Sequence, residues 1–105
     1  MLEPQLKRGL LEVCVLSVLN REDSYGYQII KDMAGCVDIS ESTLYPILKR
    51  LEASGCVTVY SVEYNGRLRK FYRITPEGRT RIPEFLNNWS EVMAIYNFIE
   101  EGWRA

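Results

Sequence analysis

No histidine occurs among the 105 residues. Imidazole-based acid–base and nucleophilic chemistry is therefore excluded. The three cysteines, Cys14, Cys36 and Cys56, share no CxxC spacing, and without histidine a tetrahedral zinc site from one chain is not expected. Cys14 lies in an apolar run and reads as a small core hydrophobe. Thiol sensing by Cys36 or Cys56, which flank turns, is a minor alternative. No apolar run approaches ~20 residues, so no membrane span is expected. The start, MLEPQLKRG, lacks the apolar stretch of a signal peptide, so a cytoplasmic protein is expected. Repeats, linkers and low-complexity stretches are absent too. With no constellation of acid, base and nucleophile, neither an enzyme nor a metal or cofactor is expected.

What is present is one domain's worth of chain with 47% hydrophobic residues, enough for a small core. The net charge of −1 argues at first against nucleic acid, but its distribution does not. Residues 1–39 carry four basic and six acidic side chains, residues 40–75 six and three, and residues 76–105 three and five. The positive charge is thus confined to the middle, as Lys49, Arg50, Arg67, Arg69, Lys70 and Arg73. Local charge, more than the sum, governs phosphate binding, and so modest a patch points to two subunits acting together.

The pattern predicts three helices, a hairpin and a long last helix. Leu6–Leu19 has a second half apolar on every side, as in a helix buried all round. After a polar break at residues 20–23, Ser24 reads as the cap of a helix from Tyr25 to Ala34 ended by Gly35, with Tyr25, Ile29, Ile30 and Met33 as its core stripe. Ser40 or Ser42 caps a third helix closed by Gly55. Its inner face is Leu44, Ile47, Leu48 and Leu51. Pro46 within it implies a local distortion or a start near Ser42. Thr75-Pro76-Glu77-Gly78 is a helix start. From there Ile82, Phe85, Trp89, Val92, Tyr96, Ile99 and Trp103 recur at steps of three and four, widened by Leu86 and Met93. That is a coiled-coil-like seam too broad for one copy to hide. Pro83 is expected to bend this helix early.

Val57–Ile74 is the most informative stretch. It reads VTVYSVEY-NG-RLRKFYRI, two β-rich runs joined by Asn65-Gly66, which tolerates the positive φ angles of a two-residue turn. Such a turn sets the register by arithmetic: Val57 faces Ile74, Val59 faces Tyr72, Val62 faces Arg69 and Tyr64 faces Arg67. The hairpin has an apolar root and a cationic tip, as a wing laid along a phosphate backbone requires.

The order is that of a mainly α winged helix-turn-helix with a β-hairpin wing, over residues 1–75, plus a C-terminal dimerisation helix over 76–105. Tyr25-Gly26-Tyr27, then Thr43-Leu44-Tyr45-Pro46-Ile47-Leu48-Lys49-Arg50-Leu51-Glu52 with Gly55, then Arg69-Lys70-Phe71-Tyr72-Arg73-Ile74-Thr75 with Gly78, closely resemble the PadR family of bacterial transcriptional regulators. The likeness covers nearly the whole chain, and the single last helix resembles the compact subfamily. It implies a homodimeric repressor of double-stranded DNA that carries an inverted-repeat operator. Compact members similar to this chain include multidrug-binding repressors with a tryptophan of the last helix stacked on flat aromatic drugs. Trp89 matches that tryptophan in context, and the resemblance implies a pocket drawing on Leu10, Val13, Ser17, Ile82, Leu86 and Met93. Met93 stands where those relatives place an acid, which favours neutral planar ligands over cationic drugs.

Each candidate has a plainer reading. Ser42, Thr43 and Lys49 are either DNA contacts or solvated helix residues, with DNA favoured by the adjoining wing. Tyr45 is equally a packing ring and a phosphate contact. Tyr25 and Tyr27 read as packing residues. Asn65, Gly66, Arg67, Arg69 and Lys70 at the wing tip fit phosphate or minor-groove contact better than an edge charged against aggregation. Arg73, nearer the root, is not expected to reach DNA. Trp89 divides between dimer core and ligand stacking. Phe85, Val92, Tyr96, Ile99 and Trp103 are the expected dimer seam. A winged-helix module that binds proteins without reading sequence is the alternative function. Its discriminator is the salt dependence of DNA binding after Arg67 and Arg69 are replaced.

Overall fold

Glu3 starts the first helix, not Leu6. Its carboxylate accepts hydrogen bonds from the Gln5 and Leu6 backbone N–H groups at 3.0 and 2.9 Å, and Pro4 occupies the first helical position, where no N–H is needed. These bonds hold the Glu3 carboxyl below the usual carboxylate range. The computed structural model describes residues 3–105, as α1 (Pro4–Arg21), α2 (Gly26–Met33), α3 (Glu41–Ala53), β1 (Val57–Tyr64), β2 (Arg67–Ile74) and α4 (Pro76–Arg104).

Ser24 does not cap α2. It is buried, and its backbone pairs with Tyr72 in both directions, Ser24 N to Tyr72 O at 3.2 Å and Tyr72 N to Ser24 O at 2.8 Å. A short third rung thus joins the wing root to the start of α2. The N-cap passes to Tyr25, which makes no side-chain capping bond. Gly35 does not end the helix through a left-handed residue either; the N–H groups of Cys36 and Val37 close it onto the Met33 carbonyl at 2.9 and 2.8 Å.

For α3 the cap is Ser40, whose Oγ accepts from the Thr43 N–H at 3.3 Å. The helix ends at Ser54 before Gly55, whose φ of +78° favours glycine. Pro46 sits inside a helix that begins at Glu41. The carbonyl of Ser42 loses its usual donor there, a loss that water can offset because both residues are exposed.

Three helices and the wing root share one core. Leu16 of α1, Ile29 of α2, and Leu44 and Leu48 of α3 are at most 1% exposed, and Val57, Tyr72 and Ile74 extend that core into the hairpin. Over residues 13–19 α1 is covered as expected, with Ser17 the exposed exception. The hairpin register matches the arithmetic at every rung from Val57↔Ile74 to Tyr64↔Arg67. Asn65 and Gly66 both adopt positive φ, 52° and 77°.

At the start of α4, Thr75 Oγ1 accepts from the Gly78 N–H at 3.0 Å and donates to the Gly55 carbonyl at 2.6 Å. Gly78 is the one buried residue of this helix. From there α4 runs through Pro83 to Arg104 and gives the molecule its 64 Å long axis. Along it Val92, Tyr96, Ile99 and Trp103 are 44, 52, 63 and 86% exposed. Ile95 and Phe98, outside the expected seam, are equally open, at 62 and 77%.

Candidate nucleic-acid interface

Beside α3 and the wing lies a groove of about 650 Å³, bordered by Tyr27, Glu41, Tyr45, Arg67, Arg69 and Lys70. On α3, Ser42, Thr43 and Lys49 are exposed while the leucines opposite them are buried, so the helix offers one polar outer face. Tyr45 packs as a ring and still stays partly open. Its ring rests on α2 at Gly26, where an added Cβ would lie 3.0 Å from Oη, and it remains 48% exposed. Glycine at 26 is what lets the tyrosine approach. Tyr27, expected to pack against a neighbour, is instead 60% exposed, with the Lys31 ammonium 5.7 Å from its ring centre.

The wing's cations divide by role. Arg69 is half-buried, its guanidinium 4.3 Å from the Tyr25 ring and 5.0 Å from the Tyr64 ring. Stacking between two aromatic faces holds it with little freedom left to lose. Arg67 and Lys70 are exposed and belong to none of the ion pairs among the described residues. Asn65 and Gly66 form the exposed tip. Arg73 is engaged at the root: it meets Asp23 at 3.0 Å, and Tyr60 donates to the same carboxylate at 2.7 Å. The hydrogen bond to Asp23 raises the pKa of both Tyr60 and Arg73. This triad ties the wing to the α1–α2 loop, a contact across 37 to 50 residues that local pattern could not reveal.

Residues 15–84 match the model of the transcriptional regulator PadR-like family. The chain belongs to that family. An uncharacterized protein of Lysinibacillus sphaericus is 32% identical over 107 residues, covering 97% of this chain and 98% of its own. The PadR family transcriptional regulator from Eggerthella lenta superimposes with a TM-score of 0.81 at 34% identity, covering 90% of this chain and 85% of that one. Bacillus subtilis PadR, solved in complex with operator DNA, has a TM-score of 0.66 at 23% identity, covering 72% of this chain and 46% of that one. The last shows likeness of fold. The chain is therefore a PadR-like transcriptional regulator with a winged-helix fold, of a family of regulators rather than of enzymes. No helix among the described residues is long and apolar enough to cross a membrane.

The remaining candidate residues of this PadR-like chain lie in different places. Phe85 and Trp89 stack at 5.7 Å with 17° between their planes. Leu86 and Met93 are 60 and 42% exposed on the same helix. Val13 lines a cavity of about 290 Å³ between α1 and α4 with Leu10, Arg81, Glu84 and Phe85; Ile82 packs on the core. Ser17 instead opens into a separate cavity of about 220 Å³ between α1 and α2, shared with Cys14 and Cys36. One copy alone does not bring Trp89, Leu86, Met93, Val13 and Ser17 to a common pocket. Cys56 is buried beside Ser54 and Arg81, and burial pushes the Cys14 thiol up. Only Cys36 is exposed.

Proposed function

We propose that this regulator acts as a homodimeric, sequence-specific repressor in the cytoplasm, reading an inverted repeat and relieved by a small planar aromatic ligand between its two copies. The observation that carries the reading is the polar face of α3 set beside a wing whose Arg67 and Lys70 have no acidic partner among the described residues. Ser42, Thr43, Tyr45 and Lys49 then face the major groove, and the tip from Asn65 to Lys70 lies along phosphates or enters the minor groove. The operator-bound Bacillus subtilis relative shares this fold.

Dimerisation rests on α4. Val92, Tyr96, Ile99 and Trp103 form a continuous apolar face that one copy leaves open, and Phe85 and Trp89 head the same seam. Its pairing sets the spacing of the two α3 helices, which must be about 34 Å apart to enter successive major grooves. A flat ligand between the two Trp89 rings, in contact with Leu86, Met93, Val13 and Ser17, would alter that spacing. Ligand and operator must then oppose each other reciprocally. Met93 in the seam brings no charge, which suits a neutral ligand.

The test is the salt dependence of binding to duplex DNA. Arg67→Gln with Lys70→Gln leaves the stacked Arg69 untouched and should lower the log–log slope by about 0.9 for each phosphate that is no longer neutralised. An unchanged slope would favour a winged helix that binds protein.

A further inference from the structure

Resting on that DNA-reading proposal, we infer that Lys7 and Arg8 of α1 form a second phosphate clamp, on the side of α3 opposite the wing. Residues on a helix advance by about 100° each. Glu41 and Tyr45 border the wing groove. Thr43 and Arg50 stand roughly half a turn of the helix away from them, and Ser42 and Lys49 face outward between the two flanks. A cavity of about 240 Å³ on that far flank lies between α1 and α3, and its wall joins Lys7, Arg8 and Leu11 to Thr43, Pro46 and Arg50. The polar face of α3 therefore has cations on both sides, although Lys7 and Arg8 belong to a segment whose net charge is negative.

The two flanks match the two backbones of a duplex. A major groove about 12 Å wide is filled by one helix with its side chains, so each flank of that helix meets a different strand. The wing can address one strand only. Lys7 and Arg8 are exposed and form none of the ion pairs among the described residues. The acid that senses Arg8 is Glu3, whose carboxylate already caps α1. Arg50 is drawn inward to Glu12 at 3.5 Å, which leaves the α1 pair as the free cations of this flank among the described residues. Their contacts would set orientation and register and carry no sequence preference.

The experiment compares Lys7→Gln with Arg8→Gln, Arg67→Gln with Lys70→Gln, and all four together. The probe is a fluorescein-labelled duplex recovered by selection from a random pool, titrated between 50 and 200 mM salt, with a scrambled duplex alongside. Counted over both copies of the dimer, the α1 pair should lower the slope by about 3.6 units, so the affinity lost over that salt range shrinks by roughly two orders of magnitude. The loss should be similar on both duplexes and add to that of the wing pair. Ethylation interference should show phosphates on the strand away from the wing that matter to the parent protein and not to the α1 variant. An unchanged slope for the α1 pair, with a lower one for the wing pair, overturns the clamp and leaves the DNA reading standing. Unchanged slopes for both pairs, or no recovered duplex, overturn both. A changed sedimentation coefficient in the α1 variant would assign Lys7 and Arg8 to the contact between copies and overturn the clamp as well.

Discussion

Replacing Gly78 with alanine should destabilise the protein, against the ordinary preference of a helix for alanine. A Cβ built at 78 runs into the Cys56 carbonyl oxygen, well inside van der Waals contact, and lies 2.9 Å from Ile74 Cγ1. Neither neighbour can yield easily. The Cys56 carbonyl accepts the Thr75 N–H at 3.0 Å, and Ile74 is only 5% exposed within the core. Helix propensity alone would favour alanine by about 1 kcal/mol. Overpacking of this kind costs about 1–3 kcal/mol, and weakening the Thr75–Cys56 hydrogen bond adds about 1 kcal/mol. The net expectation is a loss of about 2 kcal/mol, a fall in Tm on the order of 10 °C for a chain of this size. Scanning calorimetry at one fixed protein concentration measures it, since any dimer makes Tm concentration-dependent. Gly102→Ala is the control, because nothing lies within 4 Å of its added Cβ; its Tm should stay level or rise. A Gly78→Ala protein as stable as the parent would refute the close approach of α4 to the wing root, and with it the angle at which α4 leaves the reading head.

Three further outcomes follow from the same geometry. Ser40→Ala removes the cap of α3 and should cost about 1 kcal/mol in a urea titration, with no change if the cap were Ser42 instead. Alkaline titration at 295 nm should show Tyr60 ionising late, because it donates to Asp23, and Tyr72 likewise, because it is buried. With its pKa raised on folding, Tyr60 stabilises the wing root fully below the ordinary tyrosine value of about 10 and ceases to as pH climbs through its own. Tyr60→Phe should delete one late ionisation, and an unchanged late part of the titration would contradict the triad. Alkylation followed by mass spectrometry should mark Cys36 first, Cys14 more slowly, and Cys56 only on unfolding; equal rates at Cys36 and Cys56 would contradict their burial.

Where the chain's structure is local, its sequence shows it. Asn65-Gly66 determines the whole register of the hairpin because a two-residue turn leaves no freedom to slip. Ser40, the leucine spacing and Gly55 bound α3 for the same reason. One expectation failed because of a partner distant in sequence. Ser24 has the chemistry of a cap, but pairing with Tyr72 occupies its backbone. The second helix does stop before Gly35, although the chain turns there on local bonds to the Met33 carbonyl and without a left-handed residue. Glu3 is an unusual cap, and the cue for it was Pro4 at the following position. At the candidate interface, Arg67 and Lys70 could be picked out by charge alone. The stacking of Arg69 on Tyr25 and Tyr64, the engagement of Arg73 by Asp23, and the approach of Lys7 and Arg8 to α3 all depend on how separate elements pack.

The most direct test of a dimeric, sequence-reading regulator is selection of duplexes from a random DNA pool at near-physiological salt. A dimer that reads sequence should enrich an inverted repeat with half-sites about one helical turn apart centre to centre, matching α3 helices about 34 Å apart. Enrichment of no sequence, with only salt-sensitive general binding or none, would contradict that reading.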